Sequence, residues 1–259
     1  MVNTLAKFID KFKKLAADFS KTLFPGLSCD NCGFEIQDPS FRLCPQCLNE
    51  IKFHNNHKTC PKCGNIISED ELICAECKDR AHEFNFDKAI SVCDYSPVSG
   101  YLIKAFKFDG KIYTSETIAK LMIDFLRETN LNFDSLTFVP LSKERLAERG
   151  FNQAEILANA IAKAFDKEVL DLIYRSKNTP KQSTLSQKER LENLKDSIKI
   201  KTPTSLKGKT VVLIDDVFTT GTTLNECAGV LRKLRPAAII AFTFAKVDFK
   251  VFKDSKDLV

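Results

Sequence analysis

The stretch VVLIDDVFTTGTT at residues 211–223 decides the fold that the rest of the sequence predicts. It begins with four apolar residues, which indicate a buried strand, and Asp215 and Asp216 follow as an acidic turn. A threonine-rich loop around Gly221 comes next, and LNECAGVLRKL at 224–234 has apolar residues at helical spacing. The stretch therefore predicts a strand, an acidic turn, a small-residue loop and the N-terminus of a helix.

This order of groups suits a sugar phosphate. The N-terminus of a helix binds phosphate because it offers unpaired N–H groups and the positive end of the helix dipole. Gly221 lets the backbone approach a ligand closely, and the threonine hydroxyls add donors. Asp215 and Asp216 could accept hydrogen bonds from two neighbouring sugar hydroxyls. For the two acids alone, a structural strand end and a Mg²⁺ site are the alternative interpretations.

The same stretch resembles the phosphoribosyl-pyrophosphate (PRPP) signature of the type I phosphoribosyltransferases. The resemblance implies that Asp215 and Asp216 contact the ribose hydroxyls and act in catalysis. It also implies that the loop after them surrounds the 5-phosphate. The residues assigned to this loop are Phe218, Thr219, Thr220, Gly221, Thr222 and Thr223.

Predicted strands and helices alternate from about residue 84 onward. Strands are predicted at 89–95, 136–140, 169–173, 211–214 and 238–245, and helices at 115–128, at 151–165 and after Gly221. Such alternation indicates an α/β fold with a mostly parallel, doubly wound sheet. Ligands of such sheets bind at the carboxyl ends of the strands, where the loop around Gly221 is predicted to lie.

Two other segments supply positive charge. In 139–155, Lys143, Arg145 and Arg149 could face an anion, although an exposed, charged helix end is the plainer interpretation. Residues 174–210 carry ten Lys or Arg against three Asp or Glu, among many polar side chains. A long polar segment inside an α/β domain is typical of a lid or binding loop, and its charge would attract a pyrophosphate.

Eight of the ten cysteines form four C-x-x-C pairs. Each pair can present two thiolates to one ion, and two pairs complete a tetrahedral Zn²⁺ site, so two structural zinc sites are predicted. Sequential pairing is the simplest arrangement, and a crossed pairing has the same spacing. The predicted ligands are Cys29, Cys32, Cys44, Cys47, Cys60, Cys63, Cys74 and Cys77. The remaining two, Cys93 and Cys227, are expected in the core.

Residues 4–23 predict an amphipathic helix, which packs on its own protein or, alternatively, binds a partner or a membrane surface. The sequence has no apolar stretch long enough to span a membrane, and its charged N-terminus does not resemble a secretory signal. We therefore expect a cytoplasmic protein, in contact with a membrane only through partners.

Several stretches in order resemble the ComF family, the family of ComFC-type competence proteins. After the cysteine pairs come IKAFKFDGK at 103–111, VPLSKERLAERGFNQAE at 139–155 and RSKNTPKQSTLSQKERLENLKDSIKI at 175–200. The stretch at 211–228 completes the set. The resemblance covers about residues 24–246 and implies a double zinc ribbon at 27–82 and a type I phosphoribosyltransferase-like domain at 83–250. The amphipathic N-terminal helix, assigned to 1–26, lies outside it.

The resemblance also implies a function. It implies a protein that binds PRPP with Mg²⁺ and acts in natural transformation on single-stranded DNA, with a DNA-uptake helicase or other competence proteins as partners. The residues that it implies for the pyrophosphate and the hood above it are Lys143, Arg149, Arg175, Gln182 and Arg190.

The sequence leaves the acceptor and the question of turnover open. A PRPP-dependent, non-catalytic DNA-binding adaptor and a phosphoribosyltransferase of unrelated small-molecule metabolism are the alternatives. Phe106, Phe108 and Phe151 lie near cations and could stack on bases, but core positions are expected for all three.

Overall fold

The structure is a computed structural model that describes residues 28–36, 42–78, 84–108, 113–176 and 197–247. The chain separates into two compact units, residues 1–49 and residues 50–259. The predicted helix at 4–23 lies outside the described residues, as do 177–196 of the basic segment. None of the described helices has both the length and the apolar character that crossing a membrane requires.

Five parallel strands form the central sheet of the larger unit, which confirms the predicted α/β class. They are β1 (Lys88–Asp94), β2 (Ser135–Phe138), β3 (Glu168–Val169), β6 (Thr210–Phe218) and β7 (Ala238–Lys246), in the spatial order β1-β7-β6-β2-β3. A separate antiparallel pair joins β4 (Ile173–Arg175) to β5 (Ile198–Ile200). The carboxyl ends of the parallel strands share one edge, where ligands of such sheets bind.

Helices precede and follow the strands. They are α1 (Pro45–Asn49), α2 (Ala75–Lys78), α3 (Pro97–Phe108), α4 (Thr114–Thr129), α5 (Lys143–Arg149), α6 (Gln153–Phe165) and α7 (Thr222–Leu231), with a 3₁₀ turn at Arg232–Leu234. Asn152 begins α6, because its Oδ1 accepts a hydrogen bond from the N–H of Ala154. Its Nδ2 donates to the carbonyl oxygen of Val139, which ties the helix to the end of β2.

The middle of the sheet is its most apolar part. In β6 the side chains of 211–214 are all fully buried, and β7 is buried along nearly its whole length. Continuous apolar runs are typical of parallel strands that are covered on both faces. Cys93 and Cys227 are both fully buried, as their apolar surroundings predicted.

Two predictions about the elements were wrong. Strand β6 does not end before the acids but continues to Phe218, so Asp215 and Asp216 lie in the strand and not in a turn. The single strand predicted at 169–173 is two, since the chain turns at Leu172, whose N–H donates to the carbonyl oxygen of Leu170. Helix α3 was not predicted, whereas α5 agrees with the exposed, charged helix end that was the plainer interpretation of Lys143, Arg145 and Arg149.

The free edge of β1 is covered by residues 52–62 of the same unit. The N–H of His54 donates to the carbonyl oxygen of Val92, and the N–H of Ala89 donates to that of Lys62. The cysteines at 60, 63, 74 and 77 belong to the same buried cluster as residues of β6 and α7. These four cysteines, called the second cysteine cluster below, are therefore part of the core beneath the sheet.

Candidate functional site

The acid pair lies near the carboxyl end of β6, the central strand. Asp216 is 7% exposed, whereas Asp215 keeps part of its surface open to solvent. The N–H of Asp216 donates to Oδ1 of Asp215 at 2.9 Å, so the first carboxylate is held close to the backbone. The pair is thus fixed by the strand and not carried on a loop.

A lysine that the sequence did not single out neutralises the second acid. Lys107, in the last turn of α3, places Nζ 3.0 Å from Oδ2 of Asp216, and the two side chains are only 10% and 9% exposed. Lys107 lies within the stretch IKAFKFDGK, which carried the family resemblance, so that motif was the available signal. The buried pair brings the end of α3 to the carboxyl end of β6.

The first acid has an unusual proton affinity. Burial, and then the neighbouring carboxylate of Asp216, raise the pKa of Asp215 to about 7, although Lys107 and Arg149 act in the opposite direction. Tyr95, which follows β1, is also near, since burial and the charge of Asp216 raise the pKa of its phenol. Side chains from three different parts of the fold, Lys107, Arg149 and Tyr95, thus lie around the two carboxylates.

The loop after the acids ends in a helix N-terminus, as predicted. Gly221 has φ +75° and directly precedes α7, a ten-residue helix. The side chains of Thr219, Thr220, Thr222 and Thr223 are partly exposed. The hydroxyls of Thr220 and Thr222 form a hydrogen bond with their oxygens 2.8 Å apart, and the N–H of Thr222 donates to Oγ1 of Thr220. The predicted cradle is open to solvent.

Phe218 differs from the other residues assigned to the loop. It ends β6 and its ring is fully buried, between the edges of Phe84 and Phe86 and the ammonium of Lys246. Its side chain therefore supports the loop from below, and only its backbone could approach a ligand.

Of the predicted basic residues, Arg149 interacts electrostatically with both acids. Burial lowers its pKa, and the charges of Asp216 and Asp215 oppose that shift, which places the guanidinium within electrostatic reach of both. Its Nη1 donates to Oε1 of Gln153 at 3.1 Å, and its Cζ lies 5.0 Å from the ring centroid of Phe108. Arg149 therefore belongs to the same site as the acid pair.

The other predicted basic residues are spread more widely. Lys143 is exposed on the first turn of α5, and no contact with the acids is seen. Arg175, at the end of β4, is 7% exposed, and its pKa is lowered by burial and by the charge of Arg145. Gln182 and Arg190 lie outside the described residues.

The three phenylalanines expected in the core divide into two kinds. Phe106 is fully buried, as expected for a core residue, and stacks on the partly buried ring of Phe151 with ring centroids 5.6 Å apart. Phe108, however, is 64% exposed, so the prediction that it lies in the core was wrong. It is an exposed aromatic ring beside a cation at the border of the acid site.

The eight cysteines of the four pairs gather into two clusters, and the pairing is sequential. Within each cluster the four Sγ atoms all lie within 4.8 Å of one another. One cluster, in the smaller unit, consists of Cys29, Cys32, Cys44 and Cys47, and the other, in the larger unit, of Cys60, Cys63, Cys74 and Cys77.

Both clusters fit a tetrahedral metal. Four thiolates at about 2.3 Å from Zn²⁺ lie about 3.8 Å apart. The Sγ atoms of Cys32 and Cys44 are 3.6 Å apart, and those of Cys63 and Cys74 are 3.5 Å apart. In each cluster a glycine with φ +75°, Gly33 or Gly64, closes the first turn. Two structural Zn²⁺ ions could therefore be held by sulfur alone.

Two family models match separate parts of the chain. A double zinc ribbon domain matches residues 19–84, and a phosphoribosyl transferase domain matches residues 146–259. The second match contains the acid pair, the loop around Gly221 and helix α7. The zinc ribbon match contains both cysteine clusters.

Relatives align over most of the chain. Competence protein F of Haemophilus influenzae is 30% identical over 80% of this chain and 84% of its own length. Competence protein ComFC of Bacillus subtilis is 31% identical over 80% of this chain and 85% of its own length. DNA utilization protein YhgH of Escherichia coli is 28% identical over 83% of this chain and 94% of its own length.

Proposed function

The chain belongs to the ComF family of competence proteins, and from that premise we propose that it binds PRPP with Mg²⁺ and acts on single-stranded DNA. The 5-phosphate would lie in the loop at 219–223, on the N–H groups at the start of α7. The ribose hydroxyls would donate to Asp215 and Asp216.

The observation that carries this proposal is the order of chemical groups along β6 and the loop after it: two carboxylates, then hydroxyls, then a helix N-terminus. Strand β6 presents two carboxylates, and the loop that continues it ends in a glycine-preceded helix N-terminus with four partly exposed threonines. Carboxylates accept from sugar hydroxyls and helix N-termini bind phosphate, so the two halves fit the two ends of a ribose 5-phosphate. An acid pair or a helix N-terminus alone would not define such a ligand.

Charge near the acid pair suits the rest of PRPP. Lys107 offsets the charge of Asp216, which reduces repulsion between the carboxylates and an anionic ligand. Arg149 lies within electrostatic reach of the same pair and could hold the pyrophosphate, together with Arg175 and residues of the hood. Mg²⁺, a hard cation that prefers carboxylate and phosphate oxygens, would supply further neutralisation of the pyrophosphate.

A transferase reaction at this site would need no covalent nucleophile. The bond between C1 of the ribose and the pyrophosphate would break while an acceptor approaches, and positive charge would develop on the sugar ring. Asp215 and Asp216 would hold the ring in position and stabilise that charge, and Arg149 would stabilise the departing anion.

The exposed ring of Phe108 favours a nucleic acid as the molecule acted on or bound. It is 64% exposed, with the guanidinium of Arg149 at 5.0 Å. An aromatic face next to a cation is how proteins bind unpaired bases, since every base can stack and the cation attracts the backbone. The same observation supports the second candidate function, a non-catalytic adaptor that binds single-stranded DNA when PRPP is present.

Titration calorimetry with Mg²⁺ and PRPP tests the binding step. We expect the wild-type protein to bind and the Asp215→Asn/Asp216→Asn variant to lose most of its affinity. Asp124→Asn, on the exposed face of α4, should bind as the wild type does. Equal affinity in the wild type and the double variant would refute the assignment.

A second assay separates the enzyme from the adaptor. Pyrophosphate release from PRPP is measured with and without single-stranded oligonucleotide. Release that depends on the oligonucleotide would identify a transferase. Oligonucleotide binding that requires PRPP, weakens steeply with salt and yields no pyrophosphate would identify the adaptor. Phe108→Ala should weaken oligonucleotide binding in either case.

A further inference from the structure

Cys32 differs from the other cysteines of the chain in its exposure. All ten cysteines lie among the described residues, and Cys32 is exposed whereas the others are buried. Its partners in the first cysteine cluster, which consists of Cys29, Cys32, Cys44 and Cys47, are at most 3% exposed. Oxidation of a cysteine depends on thiolate character and on access for the oxidant. A zinc ligand is a thiolate, so of the ten cysteines Cys32 is the one that meets both conditions.

Two glycines show how the corresponding turns of the two clusters differ. Gly33 and Gly64 each follow the second cysteine of a C-x-x-C pair, and both have φ +75°. A Cβ atom placed on Gly33 would have no atom of the described residues within 4 Å, whereas one on Gly64 would lie 2.9 Å from the carbonyl oxygen of Ala89 in β1. The turn at Cys63 therefore packs on the sheet, and the turn at Cys32 is open to solvent.

A second sulfur of the first cluster lies close to Cys32. The Sγ atoms of Cys32 and Cys44 are 3.6 Å apart. A disulfide bond is about 2.0 Å long, so the two sulfurs need to approach by only about 1.5 Å to form one. Cys44 is 1% exposed, so Cys32 is the sulfur of this pair that an oxidant in solution reaches first.

The two turns of the first cluster are also joined by contacts that need no metal. The N–H of Asp30, two residues before Cys32, donates to the carbonyl oxygen of Arg42, two residues before Cys44, at 2.7 Å. Nε of Arg42 lies 2.9 Å from Oδ1 of Asp30, and the side chain of Asp30 is only 1% exposed. These contacts hold Cys32 near Cys44 after the ion has left, which favours a reversible disulfide.

We propose that Cys32 is a modification site: a peroxide oxidises it, Cys32 and Cys44 form a disulfide bond, and the first cluster loses its zinc ion while the second cluster keeps its own. The first cluster is thereby a reversible, redox-sensitive part of the protein. This inference goes beyond the proposed function and does not depend on the binding of PRPP or DNA.

The reaction balances with hydrogen peroxide as the oxidant. The thiolate of Cys32 attacks one peroxide oxygen, the O–O bond breaks, and Cys32 becomes a sulfenic acid while hydroxide leaves. The thiolate of Cys44 then attacks the sulfur of Cys32, the S–S bond forms, and the S–O bond breaks to release a second hydroxide. Both hydroxides take up protons and become water. Cys29 and Cys47 alone cannot complete a tetrahedral site, so they no longer retain the ion.

The test treats full-length, zinc-loaded protein with hydrogen peroxide, in the presence of a chromogenic chelator that leaves the untreated protein loaded. The wild type should hold two ions, release one and keep the other. After free thiols are trapped with iodoacetamide and the protein is digested, mass spectrometry should find a disulfide between Cys32 and Cys44. A phosphine reductant and added Zn²⁺ should restore the lost ion.

Two variants with the same change of ligand separate exposure from ligand type. Cys32→His and Cys47→His each convert the first cluster to three cysteines and one histidine, a set that also binds zinc. In peroxide, Cys32→His should release the ion at least about tenfold more slowly than the wild type, since the exposed thiolate is gone. Cys47→His keeps that thiolate and should release the ion at close to the wild-type rate.

Equal rates of release from Cys32→His and Cys47→His would overturn the role of Cys32. So would a disulfide between any other two cysteines, loss of both ions together, or retention of both ions at a peroxide concentration that oxidises glutathione. A wild type that holds fewer than two ions would contradict the proposal at the outset. If either variant fails to bind two ions, the disulfide map of the wild type decides the proposal, because it needs no substitution.

Discussion

The two neighbouring carboxylates of β6 have different electrostatic surroundings. Asp216 forms a buried ion pair with Lys107, whereas the pKa of Asp215 is raised to about 7 by burial and by Asp216. At neutral pH Asp215 therefore lies near its titration point, and its ability to accept hydrogen bonds should vary with pH.

PRPP affinity should fall as the pH is lowered from 8 to 6. Below its pKa of about 7, Asp215 is protonated in the free protein and loses an anionic acceptor for a sugar hydroxyl. One such protonation weakens binding about tenfold over this range. Calorimetry at several pH values measures the effect. Asp215→Asn is the control, because comparison with it separates the titration of Asp215 from the titration of PRPP itself. Parallel pH profiles for the two proteins would contradict the prediction.

Loss of the Lys107 side-chain charge should destabilise the fold. Lys107→Met leaves Asp216 as a buried carboxylate without this cation, and breaking such a pair from one side costs about 3–5 kcal/mol. Denaturant unfolding followed by circular dichroism measures the change. Lys120→Met breaks the exposed pair with Asp124 and should cost less than about 1 kcal/mol.

A double variant checks the cause of that effect. Lys107→Met combined with Asp216→Asn should recover much of the lost stability, because no buried charge then remains unbalanced. A double variant as unstable as the sum of both single variants would show that the two residues do not interact.

At the scale of elements, the passage from β6 to α7 depends on the absence of a side chain at Gly221. This glycine combines φ +75° with a close approach to the ring of Phe218. Gly208, in the turn before β6, has nearly the same φ, +77°, but no atom lies within 4 Å of where its Cβ would be. The two positions separate backbone strain from the steric contact with the ring.

Gly221→Ala should therefore reduce stability and PRPP affinity more than Gly208→Ala does. Both substitutions place a side chain in a left-handed conformation, which costs about 1–2 kcal/mol. Only Gly221→Ala also displaces Phe218, so it should unfold at a lower denaturant concentration and lose at least about tenfold in PRPP affinity. Calorimetry and denaturant unfolding on both variants measure this, and equal losses in the two would contradict it.

The elements that the sequence predicted well are those with a local signal. The strand, loop and helix at 211–234 follow from apolar spacing and from one glycine, and all three appear in the structure. The end of β6 was placed too early because acids are rare inside buried strands, and here pairing with Lys107 compensates Asp216. Helix α3 was missed because its buried face includes Ser99 and Gly100, which predict turns.

At the scale of the molecule, the two cysteine clusters should differ in importance for the sheet. The cluster at 60–77 shares the buried core of β6 and α7, whereas the cluster at 29–47 belongs to the other compact unit. Cys60→Ser should lower the unfolding midpoint of the sheet by roughly 10 °C, since a loss of about 3 kcal/mol shifts a domain of this size by that much. Cys29→Ser should change it by less than about 2 °C.

Circular dichroism measures the unfolding midpoints, and elemental analysis should find one zinc ion in each variant instead of two. Equal midpoints in the two variants would contradict the different roles of the clusters.

The tertiary part of the site could not be predicted from the sequence. The metal ligands could be predicted because the two cysteines of each pair are close in the sequence. The acids and the loop could be predicted because they lie in one continuous stretch. Lys107 reaches Asp216 from a distant element, and its signal in the sequence was the family motif IKAFKFDGK, which does not reveal the pairing. Phe108 was expected in the core as a large apolar residue, yet its position at the end of α3 leaves the ring exposed.

The strand of backbone at 52–62 that lies along β1 has a consequence for metal-depleted protein. An uncovered sheet edge offers unpaired N–H and carbonyl groups to any extended peptide, which is a common route to self-association. Because this covering segment runs directly into the second cysteine cluster, chelation of its ion would loosen the cover and open the edge. Metal-depleted protein is then expected to self-associate along this edge, strand against strand.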